Sequence, residues 1–230
     1  TLELSESYTG RRYDAYFTST PVDNLENNKS KVDDVIPELP GELIIKEYPM
    51  GKTTMSTIES HINKVTDLGI KPDLILIDYI DLLSTKKKTV DRKGEIDDIY
   101  TSTKGLARQL NIPIWSVSQV NRAGAKDNVI EGDKAAGSYD KMMITDLSIS
   151  LSRKKEDKVN GTGRFHIMKN RYGMDGLTYQ VNVDTTMGKI EIGDLYDDEA
   201  DTVIPNSPSH NNFDNLDRQM LKKKFFDLNT

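Results

Sequence analysis

Three short segments carry side chains whose types and spacing suit phosphate chemistry. The first is Pro72-Asp73-Leu74-Ile75-Leu76-Ile77-Asp78-Tyr79, a run of four apolar residues closed by an acid. Such a run suits a parallel strand buried on both faces, and the carboxyl ends of such strands are where open α/β sheets bind ligands. Asp78 is placed there to help hold Mg²⁺ on nucleotide phosphates, although many sheets end in the same pattern with no ligand. The second segment is Ser116-Val117-Ser118-Gln119-Val120-Asn121-Arg122, also at a strand end. Gln119 can report a γ-phosphate by hydrogen-bonding to it or to the attacking water; the plainer alternative is a turn whose amides satisfy the backbone. The third is Met168-Lys169-Asn170-Arg171-Tyr172-Gly173. Cations two positions apart in an extended segment project to the same side. They can neutralise charge on a phosphoryl group, a task that suits the planar fork of Arg171, or simply form a solvated basic turn.

The elements that must hold these segments follow from apolar periodicity. Leu74–Ile77, Ile112–Val117 and Leu147–Leu151 read as strands, and Arg164–Met168 alternates as a strand nearer an edge would. Between the first two, Ile96, Ile99, Tyr100, Thr103, Leu106, Ala107 and Leu110 recur at helical steps. Thr54 to Asp67 is a second helix, with Ile58, Ile62 and Val65 on one face and Gly69 beyond its end. Thr178–Val183 and Lys189–Ile192 form two strands joined through Thr186-Met187-Gly188. The alternation predicts an α/β fold with a mostly parallel, twisted sheet flanked by helices and a C-terminal β-hairpin. Residues 195–212 are acidic and rich in Asn, Ser and Pro, as a linker is, and 213–230 regains helical period through Phe213, Leu216, Met220, Leu221, Phe225 and Leu228.

The three segments, together with Thr1-Leu2-Glu3-Leu4-Ser5, stand in one fixed order, and in that order the chain resembles the C-terminal RecA-like motor domain of DnaB-type hexameric helicases, especially those of tailed phages. That family has a Leu-Glu-Met/Leu-Ser element, a strand ending in Asp-Tyr, a strand ending in Ser-Gln-x-Asn-Arg and a strand ending in Lys-x-Arg-x-Gly. Residues 1–194 carry the resemblance. It implies an ATP- and Mg²⁺-dependent replicative DNA helicase that moves along single-stranded DNA as a homo-hexameric ring in a bacterial cytoplasm. It also implies roles. Glu3 is the general base for water, Asp78 supports the metal, and Tyr79 and Arg122 line the nucleotide site. Gln119 senses the γ-phosphate, and Lys169 and Arg171 act in trans on the neighbouring subunit's ATP, Arg171 as an arginine finger.

Two cation-bearing segments are expected to face DNA in the ring's pore. One is 84–94, with Lys87 and Arg92; the other is 122–140, with Arg122, Lys126 and Lys134. Their cations would follow phosphates without reading bases, and ordinary solvated loops are the alternative. Gly51-Lys52-Thr53 has the ending of a P-loop, but Lys46 stands where the first glycine of that loop belongs, so the element reads as a helix entry. The P-loop is expected before Thr1, whose neighbours Leu2 to Leu4 read as a strand already under way; without it the chain should bind ATP poorly. The C-terminal helix is expected to recruit a primase, helicase loader or polymerase.

Composition constrains the rest. With a net charge of −6 the chain is not coated in basic surface, so DNA contact must be local. The absence of cysteine excludes disulfides and thiolate metal sites. No run is apolar enough to span a membrane. Two other functions compete with the helicase reading: a RecA- or KaiC-like ATPase, and a RecA-like module that binds DNA or partners without turnover.

Overall fold

A computed structural model of the chain describes residues 1–85, 92–119, 129–130, 138–197 and 202–203. Strands β1 (Ile75–Ile77) and β2 (Ile114–Ser116) pair in parallel, with Leu76 opposite Trp115 and Ile77 opposite Ser116. The 19-residue helix α4 (Arg92–Leu110) connects them, as a parallel crossover requires. Its buried residues are Ile99, Tyr100, Thr103 and Leu106, four of the periodic set. Ahead of β1, helix α3 (Met55–Asp67) opens on Thr54, whose hydroxyl accepts from the Thr57 amide in a capping box. Ile58 and Ile62 of α3, Ile77 and Ile80 beside β1, Leu83, and Ile99 and Leu106 of α4 form one apolar core that also takes in Leu2. Burying each such side chain stabilises by roughly 1.5–3 kcal/mol.

The opposite face of the pair is open. Leu76 is 54% exposed and Trp115 46%, so among the described residues helices cover one face only. This corrects the expectation of burial on both faces: a continuous apolar run records what a strand can bury, not what is present to bury it.

From residue 147 onward the pairing is antiparallel. The order is β3 (Leu147–Ser152), β4 (Thr162–Asn170), β5 (Thr178–Asp184), β6 (Lys189–Asp197) and β7 (Thr202–Val203). β4 pairs on both sides and lies next to the edge strand β3, near an edge of the sheet as its alternation suggested. Alternation reflects one buried face, which interior antiparallel strands also have. Two further expectations need adjusting. β6 runs on to Asp197 and pairs with β7, so strand pairing enters the acidic stretch expected to be a linker. The opening residues are not a strand: Ser5 caps helix α1 (Glu6–Thr18) by accepting from the Tyr8 amide, which turns the chain directly after Leu4. Leu2 still lies strand-like, donating its amide to the Asp78 carbonyl at 2.7 Å.

Candidate functional site

The backbone bond from Leu2 to Asp78 brings Glu3 and Asp78, 75 positions apart in sequence, to adjoining chain segments. Tyr79 records the convergence. Its phenol is pushed above its ordinary range by burial first, and then by the negative charges of Glu3, Asp81 and Asp78. The neighbouring strand end is stapled to this point by Ser116, whose hydroxyl donates to the Ile77 carbonyl at 2.7 Å and accepts from the Ile80 amide at 3.0 Å. Gln119, three residues beyond that staple, is exposed. An open hollow of about 380 Å³ adjoins Asp78, walled by Leu4, by Thr9, Arg12, Tyr13 and Tyr16, and by Gly188 of the β5–β6 turn. Its volume is within the range of small-molecule sites. The sequence reading missed the α1 wall, although Ser5 before Glu6 is a cap signal and Tyr13 stacks on Phe17 one turn on, with centroids 6.2 Å apart.

Below this strand end lies a second polar cluster. Asp81 follows Tyr79 in a short 3₁₀ turn (Ile80–Leu82), and Lys141 lies in helix α5 (Ser138–Ile144). Lys141 Nζ is 2.7 Å from Asp81 Oδ2 and donates to Ser118 Oγ at 3.0 Å; Ser118 Oγ in turn donates to Asp81 Oδ2 at 2.8 Å. The ammonium stands 5.5 Å from the centroid of the Tyr100 ring. Burial, and next the charge of Asp81, push the Tyr100 phenol far above its usual range, so it stays protonated.

The other cations predicted to act sit at the end of β4 and are held by α5. Lys169 Nζ donates to the carbonyls of Met142 and Met143 at 2.8 and 2.9 Å, which caps the helix C-terminus. Burial, followed by the nearby positive charges of Arg171 and Lys104, lowers its pKa. Arg171 Nε is 3.3 Å from Asp146 Oδ1, and the Arg171 amide donates to the Asp146 carbonyl at 2.9 Å. Its side chain is 45% exposed. Lys104 completes the group at 2.8 Å from the same carboxylate oxygen, and its hydrogen bond is the main reason that Asp146 titrates below its ordinary range. The Asn170 side chain folds over the following turn, accepting from the Tyr172 amide and donating to the Met174 carbonyl. A Cβ at Gly173 would stand 2.7 Å from the Asn170 amide nitrogen, so the glycine makes room for that brace.

Among the described residues, Lys169 and Arg171 are held by Met142, Met143 and Asp146 and not by Glu3, Asp78 or Gln119. Arg92, expected on a DNA loop, opens α4, and its guanidinium is held by Glu95 at 2.9 Å and by the Asp81 carbonyl. Lys87, Arg122, Lys126, Lys134 and residues 213–230, expected to be a helical tail, lie outside the described residues. Gly51-Lys52-Thr53 is a turn into α3. Gly51 has φ +71°, and Thr53 is buried with its hydroxyl donating to the Pro49 carbonyl. His61 packs its ring edge-on against Tyr48.

Among the described residues no cluster of three or more His, Cys, Asp or Glu side chains could hold a metal ion, and no helix is long and apolar enough to cross a membrane. The first fact is compatible with Mg²⁺, which is commonly held by one or two carboxylates, water and substrate phosphates and not by a protein cage.

A replicative DNA helicase DnaB of Mycobacterium intracellulare is 29% identical over 108 residues, which is 44% of this chain and 18% of that protein. The match thus spans under a fifth of its length. Two solved structures share the RecA-like α/β fold. The ATPase domain of G40P superposes with a TM-score of 0.70 at 20% identity, covering 83% of this chain and 72% of that one. A DnaB-like replicative helicase, studied for its interactions with primase, superposes at 0.69 and 19% identity, covering 82% of this chain and 48% of that one. The family model of the DnaB-like helicase C-terminal domain matches residues 18–189, and the chain belongs to that family.

Proposed function

We propose that this chain supplies the hydrolysis, sensing and trans-acting residues of an ATP-driven replicative DNA helicase that works as a ring on single-stranded DNA. The observation that carries the reading is the convergence of Glu3 and Asp78 on Tyr79 at one strand end, with Gln119 on the next. An acid at that place suits Mg²⁺ on nucleotide phosphates, and the hollow beside Asp78 gives a ligand access to it. Glu3 orients and deprotonates the attacking water, within hydrogen-bonding reach of it. Gln119 reads the γ-phosphate from the exposed end of β2. No Gly-x-x-x-x-Gly-Lys-Ser/Thr occurs in the 230 residues, so the grip on the phosphates is assigned to residues other than these. Family membership favours a helicase over a RecA- or KaiC-like ATPase.

Arg171 is the better placed of the two cations for a neighbour's nucleotide, because its guanidinium is half exposed while Lys169 caps α5. A residue that completes the next subunit's site makes assembly part of catalysis, and repeated head-to-tail contacts close into a ring. A hexamer on single-stranded DNA, with primase as one partner, is the assembly this reading takes. Arg171→Ala in the full gene product is expected to lower DNA-stimulated ATP turnover by about 10³-fold. Rings mixed from Arg171→Ala and Glu3→Gln subunits should recover activity, because each intact Glu3 then meets an intact Arg171 across some interfaces. Absence of recovery in mixed rings overturns the trans assignment. Absence of ATP turnover in the wild type overturns the motor and leaves the non-catalytic module.

A further inference from the structure

The contacts of Asp81, Ser118 and Lys141 close a triangle that the reaction itself does not use. We propose that these three side chains are positioning residues that couple the γ-phosphate sensor to helix α5, and that through them nucleotide state and DNA contact reach one another. The inference rests on the helicase reading above and names the residues that carry its coupling.

Each corner of the triangle belongs to a different functional element. Asp81 lies three positions after Asp78, in the 3₁₀ turn that follows it. Ser118 immediately precedes Gln119. Lys141 lies in α5, directly after the segment read as the second DNA-facing loop, and the far end of α5 is capped by Lys169 and followed by Asp146, which holds Arg171. Arg92, at the return from the first such segment, donates to the Asp81 carbonyl.

The link is stiff for an electrostatic reason. The side chains of Asp81 and Lys141 are only 15% and 12% exposed. Separating two such charges leaves each of them poorly solvated and unpaired, so the pair resists being pulled apart. Ser118 is tied to both members of the pair, so a shift of the strand end beyond Ser116 must either carry α5 with it or give up both Ser118 hydrogen bonds. The ammonium also stands over the Tyr100 ring, whose phenol stays neutral, which adds a further hold on Lys141. A shift of Gln119 on γ-phosphate loss therefore moves α5, and DNA held ahead of α5 biases Gln119 in return. Energetic coupling between two ligands is reciprocal.

The test uses rings of the full gene product, with oligo(dT) as the DNA probe and steady-state ATP turnover measured with and without it. The double variant Asp81→Asn with Lys141→Gln keeps the shape of the pair and removes both charges. It is expected to keep DNA-free turnover within about twofold of wild type, to bind oligo(dT) with unchanged affinity in the absence of nucleotide, and to lose about tenfold in stimulation by DNA. Ser118→Ala, which leaves the ion pair in place and is expected to fold whatever the fate of the double variant, should lose stimulation in the same direction. Lys141→Arg, which keeps a cation at this corner, should retain part of it. Unchanged stimulation in Ser118→Ala overturns the proposal. So does a parallel fall of basal and stimulated turnover, which marks a purely structural network. A wild-type ring that turns over ATP without responding to oligo(dT) removes the DNA-motor reading and the coupling with it. A responsive wild type with equally responsive variants removes the coupling alone.

Discussion

The two ends of this domain hold their functional residues by different means. At the carboxyl ends of β1 and β2 main-chain groups, tied by one another and by the Ser116 hydroxyl, do the positioning. Leu2 is bonded to Asp78, and Ser116 staples both strand ends, while the side chains of Glu3 and Gln119 are left exposed. At the end of β4 the side chains do it. Lys169 is spent on helix carbonyls, and Arg171 is held by a carboxylate that it shares with Lys104. Charges placed by backbone can act on a ligand without first letting go of a partner. A guanidinium placed by an ion pair in the same chain has to exchange that partner before it can serve a neighbour. The strand-end cluster is thus preorganised for a nucleotide, whereas the β4 end has an alternative partner already in place, which suits a contact made and broken between subunits.

The sharpest way to break this contrast is to remove the strand-end base. Glu3→Gln keeps size and hydrogen-bonding capacity but not basicity, and turnover should fall by roughly 10²–10⁴-fold. ATP affinity, measured with a fluorescent analogue, should stay near wild type, because the base acts only as water attacks. A parallel loss of affinity would mean that Glu3 holds the nucleotide and that the two ends of the domain differ less than their geometry indicates.

How far the contrast was legible in the sequence depends on the range of the signal. Helices α3 and α4 and the strand positions were readable because Ile58, Ile62, Ile99 and Leu106 follow local periods and do face the core. The antiparallel β5–β6 pair was readable from a turn between two apolar runs. Convergence of Glu3 with Asp78 was not readable from spacing, because it depends on one backbone bond, from Leu2 to Asp78, between distant parts of the chain; it came only from the order of motifs shared with a family. The Asp81–Ser118–Lys141 triangle left no sequence signal at all, since each residue alone looks like a solvated polar position. Asp157 was equally silent: it caps α6 (Lys155–Asn160) and at the same time pairs with Arg164 across the start of β4.

That buried pair separates folding from function within the antiparallel sheet. The Asp157 and Arg164 side chains are 12% and 11% exposed and lie 2.7 Å apart, with the guanidinium 4.9 Å from the centroid of the Tyr196 ring. Asp157→Ala removes the carboxylate partner of a mostly buried guanidinium that keeps its contact with Tyr196, and should cost about 3 kcal/mol, which in a domain of this size lowers the melting temperature by roughly 10 °C. Turnover per folded ring should not change below the new transition. A specific effect on turnover at full folding would place this end of the sheet in the catalytic apparatus. The same carboxylate gives a pH signature. Burial alone would raise its pKa, but bonds from the Lys154 amide, Arg164 and Thr162 outweigh burial and hold it below the ordinary carboxylate range. A group lowered on folding stabilises the protein above its unfolded pKa, near ~4, and that contribution is lost as pH falls through the lower folded value. Wild type should therefore destabilise on acidification below about pH 4 more steeply than Asp157→Asn, as thermal melts across pH would read.

The smallest effect tests the β4 end itself. Lys104→Met removes the donor that contributes most to the low pKa of Asp146 and leaves that carboxylate paired with Arg171. Asp146 is 41% exposed, so water screens the change, and the stability cost should stay below about 1 kcal/mol. The consequence for Arg171 runs the other way. Relieved of its competitor, Asp146 holds the guanidinium more tightly in its own chain, so exchange onto a neighbour becomes harder and DNA-stimulated turnover should fall by about two- to fivefold. Asp146→Asn should shift turnover the opposite way by weakening the same hold. If both variants lower turnover equally, Asp146 is a brace that Arg171 needs and not a partner that it must leave, and the contrast between the two ends reduces to one of exposure.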